Sequence, residues 1–173
     1  MTKEHLERLE ALWKVLFVKG WDRLLTLLKQ HGGEMMVPQK EPEEHVQWLL
    51  EKGRLYDTGK LKFVPGGTSN SHENAGLMWA NDKQLQIVTG YVLSLDGELW
   101  SQCSWLFNLA TGEMIVTTGP GTKYFGVELD ETQALKFAFE NNPGISDPKT
   151  VAPRIVLAAA EVVFKHGKPE LPK

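Results

Sequence analysis

Cysteine is nearly absent from this chain: Cys103 is the one thiol among 173 residues. That excludes an intramolecular disulfide and the zinc patterns that need several cysteines. Long apolar runs are missing as well, since none reaches the ~18–20 residues that a membrane-spanning helix requires. Charge of one sign is scarce. The 19 Lys and Arg stand against 22 Asp and Glu, giving a formal net charge of −3 and a pI near 6.0. Basic residues do not cluster with interleaved aromatics, so neither nucleic acid nor a membrane is expected as a partner. There is no phosphate-cradling Gly loop of the P-loop type and no paired-His motif. His5, His31, His45 and His166 are scattered and read as solvated, and no metal or cofactor is expected. The first residues carry Glu4, Glu7 and Glu10 and lack a small-residue cleavage site, which is unlike a signal peptide. The expectation is a cytoplasmic protein.

What is present suits a packed core. Hydrophobic residues make up 42% and charged residues 24%, and the length fits one domain of ~100–200 residues. The reading is a single α+β domain over 1–173, with a helical part (1–53), a helix plus antiparallel meander holding the candidate site (71–129), and C-terminal helices (130–173). Leu6, Leu9, Leu12, Trp13, Leu16 and Phe17 recur at helical spacing, and after Gly20 the pattern resumes at Trp21, Leu24, Leu25, Leu27 and Leu28. His31-Gly32-Gly33 stops it. Glu41-Pro42-Glu43-Glu44 opens a second helix, which Gly53 closes. Residues 54–70 read as loop, with a short strand at 61–64.

Asn70 followed by Glu73 predicts a capped helix in which Ser71 is the first residue and His72 the second. Strands are expected at 85–93, 99–107 and 114–118, with a short fourth at 124–127. Asp96-Gly97 reads as a two-residue hairpin turn. Asp130 with Gln133 predicts a capped helix over 130–139, and a last helix is expected at 153–165.

Three groups are candidates for chemistry. Ser71, Asn74, Ala75 and Met78 share a helix face at a helix start, where N–H groups and the dipole favour an anion or an activated nucleophile. The plain alternative is a capped helix and nothing more. Cys103 shares a strand face with Leu99, Ser101, Trp105 and Phe107, and a lone Cys there usually behaves as a small buried hydrophobe. The aromatics Trp79, Tyr91, Trp100, Trp105, Tyr124 and Phe125 are either core or, for a few, pocket lining.

Ser71-His72-Glu73-Asn74 through Trp79, then Thr89-Gly90-Tyr91, Asp96-Gly97-Glu98-Leu99-Trp100, Cys103-Ser104-Trp105 and Tyr124-Phe125-Gly126-Val127, follow one another across about a third of the chain. This succession resembles a group of small, largely uncharacterised bacterial proteins with Cys-His-x-Asn, Thr-Gly-Tyr, Asp-Gly-x-Trp, His-Ser-Trp and Tyr-Phe-Gly-Val in that order. It is also similar to the papain/transglutaminase-like layout, in which a Cys opens a helix and a His sits on a following strand. The resemblance implies a thiol hydrolase or acyltransferase ancestry. Here Ser71 stands where that pattern has its Cys, and Cys103 where it has its His.

Three functions follow as expectations. The first is a degenerate, non-catalytic site that binds a small molecule, a peptide end or a protein, with Ser71, Asn74, the N–H groups near His72 and Glu73, and the aromatics Tyr91, Trp105 and Tyr124 holding the ligand. The second is a relocated active site with Cys103 as nucleophile and His72 as base. The third is an interaction module whose Trp13, Phe17, Trp21 and Trp48 form an exposed apolar patch for a partner.

Overall fold

The computed structural model describes residues 20–37 and 43–142, together with Thr2, Glu4, His5, Glu7, Arg8, Ala11, Arg154 and Ile155. In chain order these form α1 (Trp21–Gln30), β1 (Met35–Met36), α2 (Glu43–Lys52), β2 (Arg54–Tyr56), β3 (Leu61–Phe63), α3 (Ser71–Asn81), β4 (Leu85–Leu93), β5 (Leu99–Asn108), β6 (Met114–Val116), β7 (Lys123–Glu128) and α4 (Glu131–Asn141). The class is α+β. The strand order is β2-β7-β4-β5-β6-β3, and β1 pairs with β5 in parallel, so the sheet is mixed rather than a purely antiparallel meander.

Segment 54–70, read mainly as loop, supplies both end strands of that order. Leu55 lies opposite Phe125 and Tyr56 opposite Tyr124. Three residues are too few to display an alternating pattern, and their pairing is set by a distant partner rather than by local sequence.

The chain divides into two compact units. The first holds Met1–Leu61, Thr89–Ser104 and Gly119–Val127, and the second holds Lys62–Val88, Trp105–Thr118 and Glu128–Lys173. In the first unit, α1 presents Trp21, Leu24, Leu25 and Leu28 at helical spacing, and all four are buried. They form one core with Val46 and Leu49 of α2, Met36, Tyr91, Leu93, Trp100, Phe125 and Val127, while Trp48 packs against that core. Trp21 and Trp48 are thus interior contacts rather than parts of an exposed patch. Trp13 and Phe17 lie outside the described residues. The stop after α1 is as expected and better anchored: Gly32 and Gly33 take φ of 116° and 78°, the Trp100 indole donates to Gly32 O at 2.6 Å, and Lys123 Nζ donates to His31 O. A cation at a helix C-terminus is favourable. His31 also stacks on Phe125 and His45 Nε2 is buried, so neither is simply solvated.

The β4–β5 turn differs from the Asp96-Gly97 expectation. Gly97 N donates to Ser94 O at 2.9 Å, which makes Leu95 and Asp96 the central pair, and Gly97 follows at φ 76°. The Asp96 carboxylate decides this. It takes the Ser94 hydroxyl and the Glu98 N–H, and both bonds hold its pKa below the usual carboxylate range, the Ser94 bond more.

In the second unit, α3 and α4 are both capped. Asp130 accepts from Gln133 N, and Gln133 returns its side chain to Asp130 N, both at 2.9 Å. The helices approach closely at Gly76, where a Cβ would lie 3.2 Å from Ala138 Cα. Arg154 ties the far end of α3 to the start of α4 by bonds to Trp79 O, Asp82 O, Leu85 O and Glu131. Arg154 and Ile155 are helical, and the rest of the helix expected at 153–165 lies outside the described residues.

Candidate functional site

The start of α3 is built from its cap outward. Asn70 is in extended conformation (φ −97°, ψ 111°), and its Oδ1 accepts from His72 N at 2.9 Å and Glu73 N at 3.4 Å. A capping box returns Glu73 to the Asn70 N–H, but here that donor goes to Thr68 Oγ1 at 3.2 Å. The N–H groups expected to face a ligand are therefore taken up by the helix's own cap. Ser71 is 8% exposed and shares the inner face with Asn74 and Ala75. His72 is half-buried and sets its ring edge-on to Phe137 of α4, with centroids 5.8 Å apart.

Asn74, 2% exposed, is engaged with the loop that precedes the helix. Its Oδ1 accepts from Thr68 N at 3.1 Å and from Thr68 Oγ1 at 3.3 Å, and its Nδ2 donates to Thr68 O at 2.8 Å. Gly66 lies against the same carboxamide: a Cβ there would fall 2.5 Å from Asn74 Oδ1 and nearer still to its other atoms. Thr68 and Gly66 were not picked out from sequence. The available signal was a buried-face Asn one turn into a helix behind a Gly-Gly pair.

Cys103, Tyr91 and Tyr124 belong to the first unit, whereas Ser71, His72, Asn74 and Trp105 belong to the second. Cys103 is 4% exposed, and its Sγ–H donates to Ser104 O at 3.5 Å. Residues 103–106 of β5 are all buried, so both strand faces are covered there and the expected alternation disappears. Ser104 Oγ donates to Thr89 Oγ1 at 3.0 Å, a buried hydroxyl pair that the sequence reading missed. Trp79, Tyr91, Trp100, Trp105, Tyr124 and Phe125 are all buried among core residues.

Tyr124 is fully buried, and its phenol is pushed up to about 12, chiefly by burial. The Gly121 N–H that its oxygen accepts at 2.8 Å pulls the other way, and neighbouring Cys103 adds to the rise. A neutral acid whose folded pKa exceeds its unfolded value near 10 stabilises the fold in full below pH 10, and that contribution is lost as pH climbs toward 12. Urea midpoints compared at pH 9 and pH 11 are expected to fall more for the wild type than for Tyr124→Phe, which has no phenol to ionise.

Among the described residues no group of three His, Cys, Asp or Glu side chains could hold a metal ion, and no helix is long and apolar enough to cross a membrane. Comparisons with protein families, curated proteins and solved structures find no match.

Proposed function

We propose that this chain is a non-catalytic relative of thiol hydrolase and acyltransferase-like domains, and that it binds a peptide or small polar molecule at the start of α3. The observation that carries the reading is Ser71: a nearly buried serine at the first position of a capped helix, where the resembled pattern has its thiol. A serine hydroxyl is a weak nucleophile at its free pKa. The loop held by Asn74 leads directly into this position, so the segment is ordered by side-chain bonds that a merely capped helix does not require.

Two measurements test the reading. With p-nitrophenyl acetate, wild type and Cys103→Ala are expected to release p-nitrophenolate at the same rate, without a burst. A stoichiometric burst that vanishes in Cys103→Ala and in His72→Ala overturns the non-catalytic reading in favour of a Cys103 nucleophile with a His72 base. For binding, N-acetylalanine N-methylamide is titrated while backbone amide resonances are followed. Ser71 and His72 are expected to shift in a saturable way, and unmoved signals at both overturn the binding assignment.

A further inference from the structure

We propose that Asp96-Gly97 is a latent isoaspartyl modification site, and that the Ser94 hydroxyl holds it closed in the folded chain. The site lies in the β4–β5 turn and does not depend on the binding reading above.

The chemistry needs only this chain and water. The Gly97 nitrogen attacks Asp96 Cγ, a new N–Cγ bond forms, and the protonated carboxyl loses its hydroxyl as water. Water then opens the resulting five-membered imide at either carbonyl. One opening restores aspartate. The other carries the main chain through the side chain as isoaspartate, with the mass unchanged. The sequence favours this step, because glycine has no side chain to hinder the approach and Asp96 is exposed in a tight turn.

The folded turn opposes each requirement. The attacking nitrogen must give up its proton, and that N–H donates to Ser94 O at 2.9 Å. The carboxyl must be protonated to release water. Instead Asp96 Oδ1 accepts from the Ser94 hydroxyl and from Glu98 N at 3.2 Å. Bonds donated to a carboxylate favour its charged form, and these two keep Asp96 ionised to lower pH than an ordinary aspartate, the Ser94 bond more. They also fasten the side chain to the residue beyond Gly97, as in an Asx turn. Ser94 is itself fixed by β5: its Oγ accepts from Leu99 N at 3.0 Å, and its N–H donates to Leu99 O at 2.9 Å. What the closed turn preserves is the seat of β1. Glu98 O accepts from Glu34 N at 2.7 Å and Met35 N at 3.1 Å, and isoaspartate would lengthen the main chain just before that carbonyl.

The test ages the full chain at mildly acidic pH, folded and in urea. Peptide mapping follows with a protease that cuts before aspartate and not before isoaspartate. Folded wild type is expected to form isoaspartate at position 96 about tenfold more slowly than the chain in urea, the weight of one hydrogen bond to a charged group. Ser94→Ala is expected to approach the urea rate while folded, and Ser94→Thr, which keeps the hydroxyl, to stay slow. Retained exchange protection of the Met35 amide shows that the turn is intact in each variant. Folded wild type reacting as fast as the chain in urea overturns the closed turn, whatever the variants do. Folded Ser94→Ala reacting as slowly as wild type overturns the role of Ser94. Absence of isoaspartate at position 96 even in urea overturns the site itself.

Discussion

Arg154→Ala is expected to lower the unfolding free energy by about 3 kcal/mol, since a hydrogen bond to a charged group contributes about 1.5–3 kcal/mol and a half-exposed ion pair adds at most about 1. The Arg154 side chain is 13% exposed and its partner Glu131 46% exposed. The guanidinium fork meets the Glu131 carboxylate at 3.0 and 3.1 Å, and NH1 donates to Trp79 O at 3.2 Å, Asp82 O at 2.6 Å and Leu85 O at 2.8 Å. It also lies 4.3 Å from the centroid of the Trp79 ring, a cation–π contact. One side chain thus closes the end of α3, the start of β4 and the first turn of α4. Its charge complements the carbonyl end of α3, and Glu131 complements the N–H end of α4. Trp79 O and Asp82 O keep backbone donors in Asp82 N and Leu85 N, so what removal costs is the set of charge-assisted bonds itself. At 2–4 °C per kcal/mol for a chain of this size, the melting temperature falls by about 6–12 °C. Glu131→Gln keeps the three carbonyl bonds and should cost about 1 kcal/mol. Arg154→Lys should recover less than half of the loss, because an ammonium cannot span the carboxylate and the carbonyls together. Urea unfolding followed by tryptophan fluorescence gives all three values. A loss under about 1 kcal/mol for Arg154→Ala would show that the guanidinium is not what joins these ends.

Local chemistry made much of this fold legible. Asn70 and Asp130 announce their helices because a short polar side chain before an apolar run has one efficient use, to accept from the first free N–H groups. Leu85–Leu93 was readable because a buried strand of nine residues carries enough β-branched and aromatic side chains to stand out. The unread parts depend on partners far along the chain. Met35–Met36 is a strand because it lies beside Leu99 and Trp100, and Arg54–Tyr56 because it lies beside Tyr124, Phe125 and Gly126. The same holds for the candidate site. Sequence placed Ser71, His72 and Asn74 on one helical turn. It could not tell that Thr68 displaces Glu73 from the cap, or that the Asn74 amide is committed to Thr68, because each outcome is a competition among neighbouring polar groups decided by the loop's path.

Gly90→Ala is expected to cost about 3–5 kcal/mol and to leave little soluble folded protein. A Cβ on Gly90 would fall onto the Phe125 carbonyl oxygen and 2.5 Å from Gly126 Cα. Both obstacles are backbone, so no rotamer change relieves them, and β7 would have to move away from β4, its neighbour in the sheet. That movement would disturb Tyr124 and Phe125, which are buried and also pair with β2. A glycine inside a strand marks a close backbone approach, and this one explains a feature the sequence only displayed. Thr89-Gly90-Tyr91 and Tyr124-Phe125-Gly126-Val127 are separate stretches in the sequence, and in the structure they meet glycine to glycine, Gly90 facing the Phe125–Gly126 peptide. Gly119→Ala provides the contrast. Its φ is not in the left-handed region and, its chain neighbours aside, a Cβ would meet nothing within 4 Å, so with Pro120 next in the chain restricting the added side chain only locally, that change should stay within about 1 kcal/mol of neutral. Melting temperature and soluble yield of the two variants, measured side by side, decide the matter. Gly90→Ala folding within about 1 kcal/mol of wild type would mean that β4 and β7 can part without loss, and that the glycines of the two motifs are not there to let the backbones meet.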